Sequence, residues 1–230
     1  MYNNTRSKQI NERDYTIWSR QSWPSNRFQI PKNWLVWEWL LNWDATDSLW
    51  VNNGTATNMS WVDSWVWYTK QAGSFNWTSS KVVCSNITWI KTISLCLTKT
   101  NTTTTSNMLF TTNTTWTSNY IWQVHSNWVF YCNLWWWNLT PSHWITANNT
   151  WYNIIITTDW SNLKLYNNWI LLSTVATTLS LFIWNIWTWN NWYYSWYYYD
   201  WLISNIRAYD RVLSNKEIQI LYKESLKLLH

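Results

Sequence analysis

Twenty-eight of the 230 residues are Trp and only two, Gly54 and Gly73, are Gly. Tight turns and bulges need backbone at φ > 0, and glycine is the residue that supplies it without steric cost. An ordinary globular chain holds roughly 7 % Gly, or about sixteen residues at this length. The Trp residues stand where glycine makes physical sense. Asn127-Trp128, Asp159-Trp160 and Asn168-Trp169 each lie between two apolar, alternating runs. Asn-Gly and Asp-Gly are the strongest short hairpin signals in that setting, whereas a bulky residue at φ > 0 is an outlier. The expectation is that most of these Trp are glycines misread in translation, because some bacteria read UGA as Gly and other codes read it as Trp. Turn positions should then be UGA and a few core positions UGG. The alternative is a chain that is truly rich in Trp, with exposed indoles as platforms for polysaccharide and a tendency to aggregate.

The length suits one all-β domain with a tail, or at most two small domains. The net charge of +5 is unevenly placed. Residues 1–32 hold six Lys/Arg against two Asp/Glu, residues 33–206 five against six, and residues 207–230 five against three. A near-neutral body argues against a nucleic-acid binder. The basic, aperiodic head, punctuated by Pro24 and Pro31, reads as a linker over residues 1–32. Cys84, Cys96 and Cys132 are odd in number and lack metal-site spacing, so neither a disulfide framework nor zinc is expected. The most apolar stretch, residues 169–184, is short and broken by Ser and Thr, so no membrane-inserted segment is expected. No leader with an apolar run opens the chain.

From residue 33 the texture is one of short β-type runs. Strands are expected at residues 36–41, 91–99, 107–112, 120–124, 129–133, 151–158, 163–166, 170–175, 181–185 and 202–209, with hairpins at the three dipeptides above. Ser214-Asn215-Lys216-Glu217 is a capping box, and a helix is expected over residues 214–229. Many short strands with regular turn signals mean a sandwich or barrel. The domain is expected to span residues 33–230.

Four stretches carry a resemblance once glycine is allowed at the suspect positions. They are WLVWEWLLNWDATDSLWVNNGT (34–55), AGSFNWTSS (72–80), TWYNIIITTDWSNLKLYNNWILL (150–172) and YDWLISNIRAYDRVLSNKEIQILY (199–222). In this order they resemble LamG-like (laminin G-type) domains of the concanavalin A-like lectin/glucanase superfamily. The resemblance implies a two-sheet antiparallel jelly-roll β-sandwich with a short C-terminal helix. It also sorts the Trp residues. Trp39 and Trp151 match family aromatics, and Trp61 goes with them. Trp34, Trp37, Trp43, Trp50, Trp77, Trp160, Trp169 and Trp201 align with family glycines. Trp135–Trp137, and Trp184, Trp187, Trp189, Trp192 and Trp196, would be glycine-rich loops.

The superfamily holds glucanases and binding modules alike. A retaining glycosidase needs two carboxylates about 5–5.5 Å apart, and the glucanases' E-x-D-x-x-E strand pattern is missing here. His125, His143 and His230 have no recognisable nucleophile partner. The expectation is therefore a non-catalytic module that binds carbohydrate or a surface protein outside the cell or at its surface. The alternatives are a spacer in a larger surface or pilus-like protein and, less favoured, a glycoside hydrolase. The resemblance implies a Ca²⁺ site at the sandwich rim, with Asp47, Asn52 and Asn53 as oxygen ligands. Against it stand an ordinary Asx-type turn at Asp47 and Asn205, which takes the place of an acidic residue in relatives. Tyr193, Tyr194, Tyr197 and Tyr198, with Tyr199, form a candidate sugar-binding cluster; a packed sandwich edge would explain them equally well.

Overall fold

A computed structural model describes residues 30–63, 71–76, 79–99, 107–111, 120–124, 130–134, 137–139, 150–176, 181–186 and 201–226. The strands are β1 (Leu35–Trp39), β2 (Thr55–Thr57), β3 (Ser60–Asp63), β4 (Gln71–Phe75), β5 (Lys81–Ile90), β6 (Thr92–Lys99), β7 (Asn107–Thr111) and β8 (Tyr120–Val124). They continue as β9 (Phe130–Leu134), β10 (Trp137–Leu139), β11 (Trp151–Thr158), β12 (Asn162–Asn167), β13 (Ile170–Ala176), β14 (Leu181–Ile186) and β15 (Trp201–Tyr209). Among the described residues one helix, α1 (Asn215–Leu226), follows.

The larger sheet runs β13-β12-β11-β6-β15-β4-β3, and β1 also pairs with β15. Strand β15 therefore has β6 along one side, while β4 and β1 share the other, β4 against Trp201–Ile203 and β1 against Ile206–Tyr209. The smaller sheet runs β10-β9-β8-β7-β14-β5-β2. Every pairing among the described strands is antiparallel. Alternation decides which side of the larger sheet is the core. Ile93, Leu95 and Leu97 of β6, Ile154 and Ile156 of β11, and Ile203, Ile206 and Ala208 of β15 meet Val82, Ile87, Ile90 and Leu181 of the smaller sheet in one buried cluster. This is the expected all-β, two-sheet jelly-roll sandwich. Strands β2, β3, β4 and β10 lie outside the runs that periodicity picks out, as does β5, where Cys, Ser, Asn and Thr interrupt the alternation.

The other side of the larger sheet carries a second, smaller cluster. Ile155, Tyr166 and Tyr209 pack there on Leu213, Ile218 and Leu221 of the C-terminal segment. Ser214 and Glu217 form the reciprocal cap that the sequence predicts. The Ser214 N–H and hydroxyl donate to Glu217 Oε2 (2.9 and 2.8 Å), and the Glu217 N–H donates back to Ser214 Oγ (3.4 Å). Arg211 grips the same carboxylate through both terminal nitrogens (2.9 and 2.5 Å). The Arg211 bonds lead the effects that hold Glu217 down at about 2. Ile30 packs on this second cluster and Lys32 bonds Glu38 at 3.0 Å, so the fold takes up the chain by Ile30, within the segment expected to be linker.

Gly54 marks a close approach. A Cβ there would lie 2.5 Å from Val82 Cγ1 and 2.8 Å from Trp39 Cζ2, both parts of the packed core. Gly54→Ala should cost about 1–3 kcal/mol through this overpacking; a urea midpoint equal to the parent's would show that the core yields there at no cost.

Candidate functional site

The loop between β1 and β2 is built around one carboxylate. Asp47 is fully buried, and both of its oxygens are taken by backbone amides. Oδ1 accepts from the N–H groups of Glu38 (2.9 Å) and Leu49 (3.1 Å). Oδ2 accepts from Val51 (3.3 Å) and Asn52 (2.9 Å). The structure brings Asn52 and Asn53 to the same place, with other duties. Asn53 Oδ1 accepts the Asp47 N–H at 3.0 Å. The Asn52 carbonyl accepts the Trp39 indole N–H at 2.9 Å, and its side chain donates to Val36 O at 3.5 Å. A Ca²⁺ ion wants six to eight oxygens with free lone pairs. Four amide donors converge on the one carboxylate that would anchor it, so this arrangement does not fit the cation. Among the described residues no three His, Cys, Asp or Glu side chains are grouped to hold a metal. The geometry is that of an extended Asx turn that clamps the loop onto β1.

Next to the clamp lies a buried ion pair. Glu38 and Arg207 face each other across β1 and β15, and Arg207 Nε donates to Glu38 Oε1 at 2.6 Å, with both side chains about 5 % exposed. Glu38 Oε2 accepts from the Ser48 hydroxyl at 2.6 Å and from Lys32 at 3.0 Å. Burial pushes the Glu38 carboxyl up. The Arg207 charge, the bonds from Ser48 and Arg207 and the Lys32 charge outweigh it and hold the group at about 2.

The pair belongs to a polar patch on the face of the larger sheet that points away from the core. Register places Asn153, Cys96 and Ser204 in one row across β11, β6 and β15, and Ile155, Ser94, Arg207 and Glu38 in the next, which extends to β1. All are buried. Ser94 Oγ, Thr98 Oγ1 and Asn153 Oδ1 have no hydrogen-bond partner, while Asn153 Nδ2 donates to Cys96 Sγ at 3.5 Å. Burial raises the Cys96 thiol, which the Asn153 and Ser225 side chains and the Arg207 charge offset only in part. Burial also lifts the Cys84 thiol, to about 12, so the Cys84 and Cys96 thiols are protonated at neutral pH and poor nucleophiles.

The remaining candidates divide. Asp159 accepts the N–H groups of Ser161 and Asn162 (2.9 and 2.7 Å) and serves its hairpin turn. Asn205 has φ 52° and is buried in a bulge of β15, with its N–H on Leu40 O (3.3 Å). The cluster Tyr193, Tyr194, Tyr197, Tyr198 and Tyr199 lies outside the described residues, as do His125, His143 and His230. Sequence reasoning missed Arg207 and the bond from Ser48 to Glu38. The available signal was chemical: a lone Glu and a lone Arg, each within a β-type run, are costly to bury unless they meet.

No protein-family model matches the chain, and no curated protein sequence does. Solved structures do. Domain 4 of an extracellular GH43 arabinanase from Geobacillus stearothermophilus, solved with arabinotriose, superposes with a TM-score of 0.63 at 16 % identity over 82 % of this chain and 98 % of that one. Trypanosoma rangeli sialidase with sialic acid gives 0.67 at 12 % identity over 86 % of this chain but 34 % of the sialidase. The ligand-binding domain of botulinum neurotoxin serotype D with N-acetylneuraminic acid gives 0.63 at 12 % identity, over 85 % and 52 %. At these identities the likeness concerns architecture: the chain has the β-sandwich fold of these carbohydrate-related domains.

Proposed function

We propose that this chain is a non-catalytic, LamG-like recognition module that binds carbohydrate at the cell surface. The observation that carries the reading is the fate of four carboxylates, Glu38, Asp47, Asp159 and Glu217. A glycosidase acid must hold its proton near neutral pH and face a second carboxylate across the scissile bond. Here Glu38 is neutralised by Arg207 and held at about 2. Asp47 is spent on four amides, Asp159 on a turn and Glu217 on Arg211 and a helix cap. These groups build the scaffold and leave its loops for recognition, the usual division on a rigid sandwich. Support for sugar as the ligand comes from the solved neighbours: arabinanase domain 4, matched over 98 % of its chain, was solved with arabinotriose, and the neurotoxin ligand-binding domain, matched over 52 % of its chain, with N-acetylneuraminic acid. The LamG likeness needs glycine at most of the Trp positions, and the reading includes that substitution.

A glycan array probed with residues 30–230 tests the function. Binding to a defined glycan class is expected. Silence across the array, together with capture by a surface protein, would favour the spacer or adhesion role. Release of reducing sugar from any polysaccharide would overturn the non-catalytic assignment.

A further inference from the structure

Resting on the glycine reading just given, the backbone carries it further: we propose that positions 34, 50, 89, 160 and 169 are glycine in the protein its own cell makes, and that the indoles written there form no ligand surface. Nine described non-glycine residues have positive φ, and five of them are Trp: Trp34 (66°), Trp50 (60°), Trp89 (64°), Trp160 (71°) and Trp169 (67°). Trp is among the residues least suited to that region, and Asn, which tolerates it, accounts for three of the other four.

Each of the five stands where the local geometry asks for glycine. The Leu35 N–H bonds Lys32 O, which puts Trp34 third in a four-residue turn, the position that needs φ > 0 in a type II turn. The Trp50 N–H bonds Asp47 O, so Trp50 closes the Asp47 turn, where Gly is favoured. In β5 the register against β14 slips between Ile87 and Ile90 by one extra residue. Trp89 is in that bulge, and bulges of this kind take a left-handed glycine. Trp160 occupies the left-handed position of the short loop between β11 and β12, next to the Asp159 cap. Asn168 and Trp169 bridge the paired residues Asn167 and Ile170 with φ of 48° and 67°. That sign pattern is the type I′ turn, whose preferred sequence is Asn-Gly. Trp89 matches no motif; the backbone alone assigns it.

The side chains agree. Trp34, Trp50, Trp89 and Trp169 are 45–77 % exposed. Trp39 is the contrast. It has no positive φ, is fully buried, and gives its indole N–H to Asn52 O. Trp37 packs edge-on against it at 4.6 Å between ring centroids, so φ gives no support to the motif's glycine at that position.

The consequence concerns recognition. Trp89 and Trp160 approach to 6.0 Å between ring centroids, and Lys91 Nζ lies 6.0 Å from the Trp160 ring. As written, exposed Trp89 and half-buried Trp160 look like an aromatic platform for stacking on a sugar. With glycine at both positions the platform is gone, and glycan binding must rest on other residues.

Two measurements test this. Tandem mass spectrometry of the protein purified from its own cells should read Gly at all five positions and Trp at 39. Trp at any of the five overturns the assignment there. Separately, the chain as written is compared with the variant in which Trp34, Trp50, Trp89, Trp160 and Trp169 are all changed to Gly. The variant should melt higher, on the order of 10 °C for five relieved sites, with an unchanged glycan profile. A lower melting temperature, or loss of a glycan that the written chain binds, would overturn it. Absence of glycan binding by both proteins would count against the carbohydrate function alone, since the mass readout decides the residue identities by itself.

Discussion

Arg207→Ala should cost about 3–5 kcal/mol at pH 7, the usual penalty for leaving one member of a buried ion pair alone. The guanidinium is the largest attraction that offsets the burial of Glu38, and it sits 2.6 Å from that carboxylate at a nearly dry site. Lys32 cannot substitute, because its own side chain is 59 % exposed and water screens it. The pH dependence separates this explanation from simple loss of packing. In the parent, the folded value of about 2 lies below the ordinary 4.5. Stability from this group is therefore complete above the ordinary value and is lost as pH falls through the window down to about 2, by about 3 kcal/mol in all. In the variant, burial acts on Glu38 with its main partner gone and lifts its folded value. The charged form then costs stability, so the variant should weaken as pH rises through the lifted value. Urea unfolding at several pH values checks both slopes. Replacing the two residues together, Glu38→Leu with Arg207→Met, should recover most of the loss. A single variant within about 1 kcal/mol of the parent at pH 7 would show that the pair is not buried as described.

Legibility in the sequence followed the range of the interactions. Strands β6, β11, β12 and β13 could be read because side chains alternate along them and Asp159-Trp160 and Asn168-Trp169 punctuate them. Helix α1 could be read because its cap is complete within four residues. Sheet order could not. It depends on β15 lying between β6 and the β1/β4 edge, which joins residues more than a hundred positions apart. The ion pair shares that difficulty, since Glu38 and Arg207 are separated by 169 positions. Asp47 reads from the sequence as a ligand of a rim cation or, alternatively, as an Asx-type turn, and its four amide bonds have the geometry of the turn. Donor count is what the sequence lacks: nothing in DSLWVNN says that four N–H groups will point at one carboxylate. Among the Trp residues, those in hairpins and motif turns announced themselves, but Trp89 did not. A bulge inside a strand has no dipeptide signature and is visible only as a slip in register.

Asp47→Ala should destabilise by about 3 kcal/mol, since bonds to a charged acceptor are worth about 1.5–3 kcal/mol each but are not additive. Their cost here is uneven. Val51 is exposed, so water can replace the carboxylate at its N–H. The Glu38 N–H lies within buried β1 and has no such replacement. Asp47→Asn keeps one acceptor oxygen, gives up the charge and turns an NH₂ toward amides that are themselves donors, so its loss should be intermediate. Both changes should loosen the loop from β1. The sign of loosening is faster hydrogen exchange at the Asn52 amide and at the Trp39 indole N–H, which depends on the Asn52 carbonyl. The same protein distinguishes a clamp from a metal site. With four amides already on the carboxylate, the melting temperature of the parent should be the same in millimolar Ca²⁺ and in EDTA. A rise with Ca²⁺ that Asp47→Asn abolishes would mean that the cation displaces those amides, and the rim loop would then be a calcium site after all.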